Sequence, residues 1–288
     1  MLIIGAVKQI GNNNIYNKKL IFIIFILLYN TKMSNDMNFN IAIPTFNRPD
    51  IFKDKTKKLL EKFNIPNDKI IIFIKDIQQK ELYGNIIKDY KVILTNATGI
   101  QETRNFLQKY FYDNEEYTNI IYLDDDIKNL HDYDKPLESL IELGNDIFKE
   151  LKEENLYVCG ISPYHNKFYL KKTTTKTLKY ICGCFRAEII RRDSPVITTP
   201  IGHFEDHLFS CEYFLRDGGV MRKNWIAIQT KYFEPIGGIT GQLGGLANRQ
   251  IQMAENKDYM IANYGRMVRA VEKKYGWDIR LNHFFRLP

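Results

Sequence analysis

The stretch Asn119-Ile120-Ile121-Tyr122-Leu123-Asp124-Asp125-Asp126 decides the fold of this chain. Its apolar run predicts a short buried strand, and three consecutive carboxylates follow where that strand ends. Adjacent acids repel one another and are costly to bury, so a plain strand end normally carries neutral turn residues. The cluster becomes favourable when a divalent cation and a phosphorylated ligand lie beside it. A solvated acidic turn is the alternative interpretation of the triplet taken alone.

Strand-like and helix-like patterns alternate on both sides of this stretch from residue 38 onwards. Strands are predicted at 38–43, 69–74, 90–95, 119–123, 157–162, 179–185 and 225–230, and helices at 49–64, 99–112, 136–154, 204–217 and 261–275. Repeated strand–helix–strand order predicts an α/β fold in which helices cover both faces of a mostly parallel sheet. Such sheets bind ligands outside the carboxyl ends of their strands, which is where the three aspartates fall.

The first 36 residues do not follow this pattern. Leu20–Tyr29 is an apolar run that is too short to span a bilayer, and it has the character of a signal or anchor segment. Met37 follows soon after it, so a mis-assigned start is the other explanation, and we assign no membrane partner from this segment. We therefore divide the chain into a non-core segment at 1–36, a main domain at 37–235, and a basic, glycine-rich completion of that domain at 236–288.

The distribution of charge points to an anionic ligand. The formal net charge is +7, and residues 221–288 hold 11 Lys/Arg against 5 Asp/Glu. This basic tail suits a diphosphate or a nucleic-acid backbone. The four cysteines include no CxxC pair, which favours a reducing intracellular compartment over a disulfide framework. The sequence indicates neither a specific location nor an oligomeric state.

Four segments, one of which overlaps the opening stretch, carry a family resemblance. They are IAIPTFNRP at 41–49, GIQETRN at 99–105, YLDDDI at 122–127 and FEDHLFS at 204–210. In this order, each on the expected strand end or helix start, they resemble family 2-like glycosyltransferases with the GT-A fold. The acid triplet then resembles the DxD motif of that family, and the last segment resembles its Glu-Asp motif. The resemblance covers roughly residues 38–235.

The resemblance implies a binding site for a nucleotide-sugar donor, with a UDP-sugar as the first candidate. The residues that would form it are Pro44, Thr45, Arg48, Asp76, Arg104, Asp124 and Asp125. Asp124 and Asp126 would ligate Mn²⁺ or Mg²⁺, because hard cations prefer oxygen ligands. The cation would act as a Lewis acid on the departing nucleoside diphosphate.

A second carboxylate site follows from the reaction. Transfer of a sugar with inversion requires a base that removes the proton of the acceptor hydroxyl from the side opposite the leaving group. Asp206 is the predicted base, with Glu205 as its substitute. Alternatively, both are acids that favour the first turn of a helix. His203 and His207 flank the pair, and either can contact a metal or phosphate or be merely structural.

The C-terminal part of the sequence, from residue 236 onwards, leads to a prediction about the acceptor. Paired glycines within 237–245 and the Arg-bearing segments after them resemble the TET/JBP-associated glycosyltransferases, which implies a hydroxymethylated pyrimidine in DNA as the favoured acceptor. The basic tail and residues 164–180 would then contact phosphates and stack on bases, while the glycine-rich loop would cradle a phosphate or close as a lid. The alternatives are a glycan, lipid or protein acceptor, a nucleotidyltransferase, and a non-enzymatic nucleic-acid-binding module.

Overall fold

The computed structural model describes residues 37–230, 246–274 and 276–287, so the predicted segment at 1–36 and the glycine-rich loop at 237–245 lie outside the described residues. The strands are β1 Asn40–Pro44, β2 Ile70–Ile74, β3 Lys91–Leu94, β4 Asn119–Leu123, β5 Asn129–Asp132, β6 Lys135–Pro136, β7 Val158–Ser162, β8 Thr174–Thr175, β9 Phe185–Ile189, β10 Met221–Gln229, β11 Val268–Lys273 and β12 Gly276–Leu281. The helices are α1 (Pro49–Phe52, a π-helical turn Lys53–Lys57, and Lys58–Lys62), α2 Ile77–Tyr83, α3 Gly99–Asp113, α4 Leu140–Glu153, α5 Glu205–Asp217 and α6 Leu246–Tyr264.

The large sheet confirms the α/β fold class. Its order is β3-β2-β1-β4-β9-β7-β10-β5-β6, with β8 paired to β10, while β11 and β12 form a separate hairpin. Strands β3, β2, β1 and β4 are all parallel, and β9 runs antiparallel between β4 and β7. The chain passes from β1 outwards to β2 and β3, then returns to the other side of β1 for β4. This reversal creates a switch point between β1 and β4.

Helices pack on both faces of the parallel half. Every residue of β4 is buried, and its alternate side chains point to opposite faces. On one face, Tyr122 packs edge-on against Phe111 of α3, with ring centroids 5.8 Å apart. On the other, Phe39 packs against Phe148 of α4 with centroids 5.6 Å apart. Gly144 of α4 is required there, because a Cβ at that position would lie 2.3 Å from the Phe39 ring.

Two predicted elements in the middle of the chain differ from the structure. The helix predicted from residue 136 begins at Leu140, because Pro136 pairs in a short hairpin and Ser139 caps the helix by accepting from the Glu142 amide at 3.1 Å. The strand predicted at 179–185 is wrong, since β9 occupies Phe185–Ile189. The residues before it form a turn in which the Sγ atoms of Cys182 and Cys184 lie 2.8 Å apart.

The tail also differs. The helix predicted at 261–275 is wrong, because α6 ends at Tyr264 and the following residues form the β11–β12 hairpin. Gly276, with φ of 122°, allows the hairpin to turn, and Val268 and Ile279 pack into the core on its inner side. Helix α2 was not predicted at all. Within the part of the chain that the structure describes, no helix is both long and apolar enough to cross a bilayer.

Candidate functional site

The predicted donor residues meet at the switch point of the sheet. Ala42 of β1 pairs with Tyr122 of β4, so the carboxyl ends of the two strands lie side by side. Pro44 ends β1 and is buried, Thr45 and Arg48 follow it, and the acid triplet follows β4. Open α/β sheets bind ligands in the crevice outside such a reversal of strand order.

Asp125 anchors the acid triplet to the loop after β1. Its side chain is fully buried, accepts a hydrogen bond from Thr45 Oγ1 at 2.5 Å, and is bonded to the guanidinium of Arg48. Tyr83 OH lies 2.5 Å from the same hydroxyl and accepts from the Arg48 amide at 3.0 Å. Burial raises the pKa of Asp125 to about 7, although Arg48 and Thr45 oppose that rise. This carboxylate faces the interior rather than the crevice.

The two carboxylates on either side of Asp125 are the solvent-facing ones. The side chain of Asp124 is 32% exposed and that of Asp126 is 17% exposed. Asp126 lies 3.5 Å from Arg48 and accepts from Thr230 Oγ1 at 3.0 Å. Its pKa is raised by burial and by the neighbouring Asp124 charge. Two partly buried carboxylates that repel one another favour a cation beside them.

Asp124 and Asp126 supply only some of the oxygen ligands that a hard divalent cation requires. Among the described residues, no three His, Cys, Asp or Glu side chains lie close enough together to hold a metal ion. Asp124 and Asp126 supply carboxylate oxygens, and the remaining ligands would come from phosphate oxygens and water. Mg²⁺ in particular is commonly bound by one or two carboxylates together with substrate phosphates. The pair therefore suits a cation that binds together with a nucleotide diphosphate.

The π-helical turn of α1 holds both ends of the acid triplet. Fully buried Thr56 donates from Oγ1 to the Asp124 carbonyl at 2.8 Å and accepts from the Ile127 amide at 2.9 Å. Short π-helical turns occur frequently at functional sites. The sequence places Thr56 on the buried stripe of the helix, but nothing in that pattern indicates this double hydrogen bond.

Arg104 is bonded to the acid triplet and lies near the second predicted carboxylate site. Its guanidinium is 4% exposed and donates to Asp124 Oδ1 at 2.7 Å and to the Gly183 carbonyl at 3.1 Å. A Cβ on Gly183 would lie 3.4 Å from Arg104 Nη2, 3.8 Å from Glu205 Oε1 and 3.8 Å from Asp206 Cβ. Glu205 and Asp206, about eighty residues after Asp124 in the chain, therefore lie near this arginine, and their charges act on it.

Asp206 is held as an ionised carboxylate. Its Oδ1 accepts from the backbone amide of His207 at 2.9 Å and lies 3.0 Å from His207 Nδ1, and its Oδ2 accepts from the Tyr180 hydroxyl. The hydrogen bonds and the charge of His207 lower the pKa of Asp206 despite its burial. The Tyr180 ring packs on the His207 ring with centroids 4.4 Å apart. Tyr180 ends the stretch 164–180 that was predicted to contact DNA, but nothing in the sequence indicates its hydrogen bond to Asp206.

Glu205 and His203 have different environments. Burial and the Asp206 charge raise the pKa of Glu205, while Arg104 opposes the rise. Burial and the charge of Arg249 lower the pKa of His203 to about 4, so that imidazole is neutral near pH 7. Two adjacent acids with pKa values shifted in opposite directions can take different roles in one reaction.

Asp76 lies beside the loop that follows β1. It caps α2 by accepting from the Gln79 amide at 2.9 Å, and Gln79 Oε1 accepts from the Asn47 amide at 2.8 Å. The cap explains why α2 begins here. The predicted contact of Asp76 with a base or ribose stays a prediction.

Comparison with known proteins gives structural likeness at low identity. No family model matches the chain, and no curated protein matches it. The structure of S. aureus TarS 1-349 in complex with UDP is 15% identical with a TM-score of 0.47, and the match covers 75% of this chain and 65% of that one. The chain thus spans slightly less than two thirds of that structure.

Two further solved structures are similar to a comparable degree. Glucosyl-3-phosphoglycerate synthase from Mycobacterium tuberculosis, in complex with Mn²⁺ and UDP-glucose, is 11% identical with a TM-score of 0.49, covering 85% of this chain and 86% of that one. Mannosyltransferase PcManGT from Pyrobaculum calidifontis, in complex with GDP-Man and Mn²⁺, is 12% identical with a TM-score of 0.45, covering 83% and 72%. Likeness at this level does not by itself assign an activity to this chain.

Proposed function

We propose that this chain is a metal-dependent glycosyltransferase that moves a sugar from a nucleotide sugar, a UDP-sugar first of all, to an acceptor hydroxyl. The observation that carries the proposal is the position of Arg104 at the switch point of the sheet, where it is bonded to Asp124 and lies within the range of the Glu205 and Asp206 charges. Asp124 and Asp126 would serve the leaving diphosphate, and Asp206 or Glu205 would take the acceptor proton. Such transfer needs one site for the leaving diphosphate and another for the acceptor proton.

The donor side would bind the nucleotide diphosphate through charge. Asp124 and Asp126 would hold Mn²⁺ or Mg²⁺, which when bound supplies Lewis-acid stabilisation of the departing diphosphate. Arg48 and Asp125 fix the loop after β1 against the acid triplet, so Thr45 and its neighbours present a preformed edge to the nucleoside. A preformed edge lowers the ordering cost of binding.

The acceptor side would remove a proton. The acceptor oxygen forms a bond to the anomeric carbon while the bond from that carbon to the diphosphate oxygen breaks, and the departing nucleoside diphosphate takes the electron pair. The hydroxyl proton goes to Asp206, whose lowered pKa keeps it ionised near pH 7. Tyr180 and His207 fix the orientation of that carboxylate. Attack from the side opposite the leaving group gives inversion, and Glu205 is the substitute base.

The favoured acceptor is a hydroxymethylated pyrimidine in DNA. Three large side chains on the loop after β7 are strongly exposed: Tyr164 (59%), Phe168 (84%) and Tyr169 (64%). Exposed aromatic rings beside lysines suit stacking on unpaired bases. Burial, and then the charges of Cys182, Asp278 and Asp206, raise the pKa of Tyr164, which supports a position of this ring on the acceptor side. A glycan, a lipid or a protein side chain is the alternative acceptor.

The donor half of the proposal is tested by thermal shift. The protein is mixed with UDP or a set of UDP-sugars, each with and without Mn²⁺. Saturation at a hundred times the dissociation constant adds about 2.7 kcal/mol of stability, which is readily measured. We expect a manganese-dependent shift that Asp126→Asn abolishes and that Asp146→Asn, an exposed acid on α4, leaves intact. No shift with any nucleotide in the presence of Mn²⁺ would contradict the transferase assignment.

The acceptor half is tested separately. Transfer of labelled sugar is measured onto single-stranded DNA that contains hydroxymethyluracil, with unmodified DNA of the same sequence as control. Label on the modified strand alone supports the DNA acceptor. Manganese-dependent donor binding together with an unlabelled strand would move the assignment to the glycan, lipid or protein alternative.

A further inference from the structure

A group of cations lies behind the proposed base, on the acceptor side of the crevice. Arg222 of β10 donates from Nη1 to the Tyr180 carbonyl at 3.2 Å and from Nε to Asn224 Oδ1 at 2.8 Å. The Lys171 amide donates to the Asn224 carbonyl at 3.3 Å. Lys179 immediately precedes Tyr180. The backbone contacts therefore bring Lys171, Lys179 and Arg222 to one place, which we call the cation cluster.

The cation cluster contains like charges without a compensating acid. Burial and then the charges of Arg222 and Lys171 lower the pKa of Lys179. Burial lowers the pKa of Arg222 to about 10, and the groups that oppose this are Tyr180 and Cys182 rather than a carboxylate. Within the ranges that the structure describes, no member of the cluster forms an ion pair with Asp or Glu.

Other lysines of the same stretch behave differently. Lys167 pairs with Asp134 at 2.8 Å, and Lys176 pairs with Glu154 at 2.9 Å. Lys172 instead lies over the Tyr133 ring, 5.4 Å from its centroid. Lys179 and Arg222 are partly buried, and holding them beside the exposed Lys171 without an anion costs free energy that a bound anion removes. Phosphate is the natural occupant, because guanidinium and ammonium donors bind it through charge-assisted hydrogen bonds.

Tyr180 connects the cation cluster to the proposed base. Its carbonyl accepts from Arg222, and its hydroxyl donates to Asp206. A phosphate at the cluster would thus lie about one tyrosine side chain away from the carboxylate that takes the acceptor proton. Under the proposed function the donor diphosphate would lie beside the acid triplet, whereas the cation cluster is connected to the proposed base through Tyr180. The cluster therefore suits the acceptor rather than the donor.

We propose that Lys171, Lys179 and Arg222 form a phosphate subsite for the acceptor, so that the acceptor carries a phosphate group close to the hydroxyl that receives the sugar. The assignment of this phosphate to the acceptor rests on the proposed function, whereas the binding of phosphate at these three residues does not. The phosphate is either part of a nucleic-acid backbone or the phosphate of a small phosphorylated alcohol.

Calorimetric titration of the full chain with inorganic phosphate tests the subsite. The paired substitution Lys171→Gln with Lys179→Gln is compared with a matched pair on α4, Lys149→Gln with Lys152→Gln, which removes the same charge from an exposed helix face. We expect the first pair to weaken phosphate binding at least tenfold and the second to leave it unchanged. Wild-type protein that does not bind phosphate, or equal binding by both pairs, would overturn the proposal.

Two further arms separate the outcomes. Asp126→Asn is expected to retain phosphate binding, because the subsite is distinct from the donor site. Loss of phosphate binding in that variant would place the anion at the donor site and refute the subsite. Glycerol 3-phosphate and an oligothymidylate are then titrated separately, and the one whose binding depends on Lys171 and Lys179 identifies the source of the phosphate. If the wild-type protein binds phosphate but does not bind UDP in the presence of Mn²⁺, the phosphate subsite is supported and only the transferase assignment is refuted.

Discussion

Thr56→Val is the most direct test of how the acid triplet is held. The substitution keeps the shape of a fully buried side chain and removes one hydroxyl. That hydroxyl serves two backbone groups, the Asp124 carbonyl at 2.8 Å and the Ile127 amide at 2.9 Å. Each backbone group left without a partner costs about 1–3 kcal/mol of stability. Because the Asp124 carbonyl is only partly buried, its cost lies near the lower value, so we expect a total loss of about 2–4 kcal/mol.

The assay is urea and thermal unfolding in metal-free buffer, followed by calorimetric titration with UDP and Mn²⁺. For a chain of this size, a loss of that order lowers the melting temperature by roughly 5–15 °C. Thr56→Ser keeps the hydroxyl and is expected to lose less than half as much. Thr103→Val removes a hydroxyl that donates to its own helix at the Gly99 carbonyl, 2.8 Å away, and serves as the matched control. If Thr56→Val melts within a degree of wild type, or binds UDP with unchanged manganese dependence, the hydroxyl does not hold the triplet.

Three other substitutions give separate outcomes. Asp206→Asn is expected to abolish sugar transfer while nucleotide binding stays intact. Because the folded pKa of Asp206 is lowered, its charge stabilises the fold above the pKa of the unfolded chain, and this stability is lost only as pH falls through the folded pKa. Equal stability of the variant and the wild type at pH 7 would therefore contradict the hydrogen bonds assigned to this carboxylate. Tyr180→Phe removes a donor that lowers this pKa, so the acid limb of the pH–rate profile is expected to move to higher pH, and an unmoved limb would exclude Asp206 as the titrating base. Gly144→Ala places a methyl group against the Phe39 ring and is expected to cost roughly 1–3 kcal/mol in urea unfolding, whereas an unchanged midpoint would mean that the ring moves freely aside.

The parallel half of the fold could be predicted because its signals are local. Residues 70–74 and 120–123 are continuous apolar runs, and the structure buries every residue of the two strands that contain them. Glu205 and Asp206 begin helix α5, and Gly218 caps its C-terminus in the left-handed conformation with φ of 76°, as the paired glycines at 218–219 predict. These elements are decided by periodicity and turn chemistry within a dozen residues.

The remaining parts depend on contacts that are remote in the chain. The β11–β12 hairpin is stabilised by burying Val268 and Ile279 in the core, which the alternation of a short basic segment does not reveal. Tyr180 reaches Asp206 only because the turn before β9 folds back over α5. The sequence marks Thr56 only as a core residue of a helix, and its hydrogen bonds to the turn after β4 become evident only in the structure. In each case the role of the residue depends on a partner that is distant in the chain.

The position of Arg104 has a consequence for the order in which ligands bind. This arginine is bonded to Asp124, while Arg48 lies 3.5 Å from Asp126. A nucleotide diphosphate that approaches these two carboxylates without a cation is repelled by them, and a bound divalent cation would reverse the sign of the nearest charge. Under the proposed function we therefore expect cation and donor to enter together and the acceptor to enter last. Initial-rate kinetics would show this as intersecting patterns for donor and acceptor, with the nucleoside diphosphate product competing against the donor alone.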